Sequence, residues 1–111
     1  MPILEVPADG PALATDSDVL DVIGQALQER ADLVMLPVER LPDEFFDLST
    51  RLAGEIVQKF VNYRLRLAIV GDISRHLAAS DSLHDYVRET NRGNQVWFLE
   101  TSDDERITAV R

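Results

Sequence analysis

The stretch from Phe45 to Asp72, FFDLSTRLAGEIVQKFVNYRLRLAIVGD, changes its apolar period abruptly. Phe45, Leu48, Leu52, Ile56 and Phe60 recur at spacings of three and four, and Ala53, Val57 and Val61 widen the same face, which is the pattern of a helix lying on a core. Two residues later, past Tyr63-Arg64, a short apolar run of Leu65, Leu67, Ala68, Ile69 and Val70 is ended by Gly71-Asp72. Such a run is too short for a helix and suits a strand covered on both faces. With so little slack between them, the helix must fold back onto the sheet its strand enters, so the chain belongs to the α/β class.

The same reading extends in both directions. Ile3, Leu4 and Val6, then Ala12-Leu13-Ala14 beyond a Pro7-to-Pro11 turn, are expected as an opening hairpin. Thr15 with Asp18 three residues on forms a capping-box pattern ahead of Val19, Leu20, Val22, Ile23, Ala26 and Leu27, a helix ending near Arg30. Leu33 to Leu36 reads as a central strand, bounded by Asp32 and Pro37. Ser49 or Thr50 is expected to restart the second helix after a break, and Gly54 to permit close packing there. Ser80 or Ser82 caps a helix carrying Leu83, Tyr86 and Val87, Asn91-Arg92-Gly93-Asn94 closes it, Val96 to Leu99 form a last strand, and Asp103 to Val110 a final short helix. The expected order is β-β-α-β-α-β-α-β-α in one domain spanning 1–111.

Composition narrows the function. With 20 acidic against 11 basic side chains the formal charge is −9, which repels a phosphate backbone and argues against nucleic acid as a partner. The absence of cysteine removes thiolate chemistry and Cys-based metal sites. No long apolar run or leader pattern occurs, so neither membrane insertion nor secretion is expected, and a cytoplasmic location is. No phosphate-loop motif appears, and His76 and His84, eight residues apart, lack the spacing of helical metal ligands. No catalytic set, cofactor site or metal site is therefore expected.

Two groups of residues remain as candidates. Asp47, Ser49, Thr50 and Arg51 stand at the start of the second helix, where an added phosphate would meet free backbone N–H groups at a partner surface. Glu55, Asn62, Asp72 and Arg92 are charges and amides that a polar cleft at the strand carboxyl ends would gather, the arrangement of a small-molecule binder or an unrecognised enzyme. Arg92 beside Gly93 also has the makings of an anion-binding turn. Trp97 reads as core or as half-buried strand, and Phe45, Phe46 and Phe60 as helix packing first; if the sheet is alternately buried, one of Phe45 and Phe46 is free to protrude into a partner groove or dimer contact.

From Phe45 onward, FFDL-S-T-x-LAGE-I-x-QKFVNYR, then LAIVGDIS, then VRETNRG before VWF, resembles a small bacterial family catalogued as domain of unknown function forty-one eighty, over nearly the whole chain. More distantly, the element order resembles the STAS, or anti-anti-sigma, domains, which implies a STAS-like mixed sheet of about five strands with an N-terminal hairpin. Phe46 to Leu52 then falls where those domains carry an Asp-Ser-Ser-Gly-Leu motif, matched by Asp47, Ser49 and Leu52 and not by Leu48 or Thr50. The likeness implies a non-enzymatic regulatory module that presents Asp47 to Arg51 to a protein partner, with Ser49 as a phosphorylation candidate. A homodimer is compatible with that reading.

Overall fold

The computed structural model describes residues 2–110. Four strands, β1 (Ile3–Glu5), β2 (Leu33–Pro37), β3 (Arg66–Val70) and β4 (Val96–Leu99), form one parallel sheet in the order of the chain. Leu4 stands opposite Val34, Val34 opposite Leu67, and Leu67 opposite Val96, so one row of alternate residues crosses all four strands on a single face. The crossovers carry α1 (Asp16–Gln28), α2 (Leu52–Asn62), and the pair α3 (Ser74–Ala79) and α4 (Asp81–Asn91); α5 (Glu105–Val110) follows β4.

Strand alternation divides the core in two. Leu4, Val34, Leu36, Leu67, Ile69, Val96 and Phe98 meet Val19, Ile23, Ala26, Ile56, Phe60 and Leu83 from the crossover helices. Leu33, Met35, Ala68, Trp97 and Leu99, one residue out of phase, meet Ile107 and Val110 of α5. Parallel strands need cover on both faces, and α5 supplies it where no crossover helix lies.

The helical stretch after Phe45 is broken more deeply than its periodicity suggests. Three 3-10 turns, Val38–Arg40, Asp43–Phe46 and Leu48–Thr50, precede α2. Phe45 and Phe46 are both buried, in edge-to-face contact at 5.0 Å, so neither protrudes. They act as wedges that fix the turns on the core, and α2 begins only after them.

The opening hairpin does not form, and the sheet has four parallel strands in place of a mixed sheet of about five. Residues Ala12 to Ala14 are irregular because a side chain organises the segment: Arg40 donates to the carbonyls of Pro7 (2.9 Å) and Pro11 (2.8 Å), and Leu13 N–H donates to Arg40 O. A Cβ at Gly10 would lie 2.7 Å from the Arg40 guanidinium, which explains glycine there. Leu13 still enters the core. Elsewhere the capping box of Thr15 and Asp18 is present, and Ser80 accepts from Leu83 N–H to cap α4. The helix α3 carries no clear periodic signal and was not anticipated.

The outer edge of β4 is closed by a side chain. Asn91 Oδ1 accepts from Phe98 N–H (2.7 Å) and Asn91 Nδ2 donates to Phe98 O (3.2 Å), reproducing the pairing of a neighbouring strand. Trp97 Nε1 donates to Gly93 O (2.8 Å) alongside. Gly93 itself does not adopt positive φ; Gly71 does, at 144°, against the Val38 side chain. The turn Asn91 to Asn94 is thus an edge clasp, and Arg92 in it pairs with Glu89 at 3.2 Å.

Candidate functional site

An open trough of about 630 Å³ lies over the outer face of α2, walled by Tyr86 of α4 and by Leu48 of the last 3-10 turn. Its floor exposes Gly54, where a Cβ would meet no atom within 4 Å. The glycine is not needed for packing inside the fold, contrary to the expectation from sequence, and its helical φ does not require it either. Glu55, Gln58, Lys59 and Asn62 line the rest. Gln58 Nε2 donates to Asn62 Oδ1 at 2.8 Å, and Lys59 reaches across to Asp16 of α1 at 3.3 Å rather than pairing with Glu55 on its own helix. Burial pushes the Tyr86 hydroxyl above its ordinary range, only partly offset by its bond with Thr90.

At the mouth of this trough stands the Asp47 to Arg51 tip. Asp47 Oδ1 accepts from the Ser49 hydroxyl (2.6 Å) and from Ser49 N–H (3.0 Å), and these bonds hold its carboxyl below the usual range. Thr50 Oγ1 lies 2.7 Å from Glu44 O and 2.8 Å from Asp47 O, which ties the turn to its predecessor. Arg51 is exposed, adopts φ 64° as the N-cap of α2, and has no ion-pair partner among the described residues. Both features are unfavourable: a left-handed backbone disfavours a side chain bearing Cβ, and a cation sits badly at the positive end of a helix.

A second region lies at the carboxyl ends of β2 and β3. His76 stacks on Phe46, centroids 4.2 Å apart and planes at 13°, beside an Arg75–Asp43 pair at 3.0 Å. Two shallow hollows of about 180 and 370 Å³ flank this stack. Burial lowers the His76 pKa, Arg75 lowers it further, and Asp43 opposes them. Asp72 accepts from the hydroxyl and backbone N–H of Ser74, which depresses its pKa in the same way as at Asp47.

The polar-cleft candidates do not meet. Glu55 and Asn62 share the trough, but Asp72 follows the carboxyl end of β3 while Arg92 follows α4 and precedes the amino end of β4. A five-residue strand separates the two rims by about 16 Å. Because the strand order never reverses, no switch-point crevice opens between diverging loops. Among the described residues no polar or charged residue is fully buried, and no group of three or more His, Cys, Asp or Glu is placed to hold a metal. Sequence reasoning passed over Gly54 and Tyr86 as site residues; the only trace of their role is a glycine and a half-polar aromatic on otherwise ordinary helices.

The molecule is thus a small parallel α/β domain with a surface trough rather than an enclosed pocket. The chain belongs to the family described as Domain of unknown function (DUF4180), whose pattern matches residues 1–108. No curated protein and no solved structure matches it. No helix among the described residues is long and apolar enough to cross a membrane.

Proposed function

We propose that the protein is a non-enzymatic interaction module that receives a helical segment of another protein in the trough over α2, with an acidic side chain of that segment held by Arg51. The observation that carries this reading is Arg51 itself. It is exposed at the mouth of the trough with no ion-pair partner among the described residues, in a backbone conformation and at a helix end that both disfavour it. A residue whose placement costs stability is best explained by what it binds.

The trough suits such an occupant. Exposed Gly54 allows close backbone approach, Leu48 and Tyr86 give apolar contact, and Gln58 and Asn62 give adaptable hydrogen bonding. Asp47 and Asp72 are stabilised as anions by the hydrogen bonds of their local turns, which suits them to holding those turns in shape. Ser49 is exposed beside this surface, and phosphorylation would set a dianion against Asp47, opening the turn that presents Arg51.

Quantitative affinity capture tests the reading, using wild type, Arg51→Glu, Gly54→Trp and a distant control, Thr108→Glu on α5. The same binding protein should be retained by wild type and the control and lost from both trough variants. Equal retention by all four would overturn it.

A further inference from the structure

We infer that the slot between α3, α4 and the carboxyl ends of β3 and β4 binds a small primary amine whose apolar group is about the size of one aromatic ring. The slot holds about 210 Å³ and shares no lining residue with the trough over α2. Ile73 before α3, Leu77 of α3, Val87 of α4 and Phe98 of β4 give it apolar walls. The polar groups along those walls are already spent within the fold. Asn91 is engaged with Phe98 N–H and O, Gly71 N–H donates to Leu99 O (2.9 Å), and the Ser74 hydroxyl and N–H donate to Asp72. A buried water needs about two to four polar partners, whereas a dry apolar cavity of about 150 Å³ takes benzene, so this interior suits a ring better than it suits solvent.

The rim supplies the charge. Val70 stands opposite Leu99, so Asp72 and Glu100, which follow them, edge the slot from neighbouring strand ends roughly 5 Å apart. Glu100 is exposed and has neither an ion-pair nor a hydrogen-bond partner among the described residues. Asp72 is held as an anion by Ser74 through Oδ1, which leaves Oδ2 without a partner among the described residues. No lysine, arginine or histidine lines the slot. Two neighbouring carboxylates with no cation between them repel each other, and an ammonium group relieves that repulsion while its three N–H donors reach both. A neutral alcohol leaves the repulsion in place, and a carboxylate adds to it, so the rim selects the amine among ligands with the same apolar group.

NMR titration of the full chain with phenethylamine, 2-phenylethanol and phenylacetate at neutral pH tests the inference. Phenethylamine should shift the amides of Asp72, Leu77 and Glu100 saturably, bind at least about tenfold more tightly than 2-phenylethanol, and weaken with added salt. Phenylacetate should not bind. Glu100→Gln should weaken the amine and leave the alcohol unchanged, with unaltered thermal melting because the Glu100 side chain holds nothing in the fold. Leu77→Trp fills the slot and should abolish binding of both. Arg51→Glu should bind the amine as wild type does, which separates this slot from the trough. No saturable shift with the amine, equal affinity for amine and alcohol, or amine binding indifferent to both Glu100→Gln and Leu77→Trp overturns the proposal.

Discussion

Replacing Asn91 by Ala should open the edge of β4. The two bonds of Asn91 to Phe98 N–H and O, at 2.7 and 3.2 Å, lie in partly buried surroundings. A made hydrogen bond contributes about 1 kcal/mol net, and a buried backbone group left without a partner costs about 1–3 kcal/mol, reduced here because water reaches part of the site. The expected loss is roughly 2 kcal/mol, which for a chain of this length lowers the melting temperature by about 8 °C. Asn91→Asp separates the two bonds, since a carboxylate still accepts from Phe98 N–H but faces the Phe98 carbonyl with a second acceptor. It should be at least as destabilising as Ala at neutral pH and recover in part on acidification, when the protonated carboxyl donates. Urea unfolding followed by Trp97 fluorescence gives the energy, and hydrogen exchange at the Phe98 amide locates it. A change in either variant below about 0.3 kcal/mol, or undiminished protection of that amide, would refute an energetic role for the clasp.

Three further outcomes follow from local geometry. Arg51→Gly should stabilise the fold by roughly 1 kcal/mol, because glycine accepts φ 64° freely and removes a cation from the helix start; chemical denaturation measures it. Thr15→Ala should cost about 1 kcal/mol in the same assay by removing the α1 cap. His76 has a folded pKa below its unfolded value of about 6.5, so its stabilising contribution is complete above that value and is lost as pH falls through it, when the unfolded chain takes up the proton first. His76→Phe keeps the stack on Phe46 and should flatten the decline of melting temperature between about pH 7.5 and 5.5.

What the sequence conveyed depended on how local the cause was. The α1 capping box, the apolar faces of α1, α2 and α4, and the strands from Leu33, Leu65 and Val96 rest on neighbours within a few residues, and they were legible. The N-terminal segment was misread because its conformation is set by Arg40, some thirty residues away, through bonds that periodicity does not register. Asn91 to Asn94 read chiefly as the close of α4, which it is, and only secondarily as a turn for anions; its further role at Phe98, across the end of α4, was not legible. Glu55, Asn62, Asp72 and Arg92 have the right chemistry for a cleft, but the unreversed strand order distributes them over two rims, and strand order is a property of the whole sheet. Arg51 was visible as part of a motif-like stretch, whereas its left-handed backbone, shared with Arg30 and Arg64, and its place at the start of α2 beside the trough appear only in the structure.

Photocrosslinking inside the cell from a probe residue at Gln58, on the trough, tests the proposed docking most directly. With Arg51 present a discrete heterologous adduct is expected, and with Arg51→Gly the adduct should vanish although the fold is the more stable of the two. An adduct of equal yield in both proteins, or one obtained equally from a probe at Thr108, would contradict docking of a partner helix over α2.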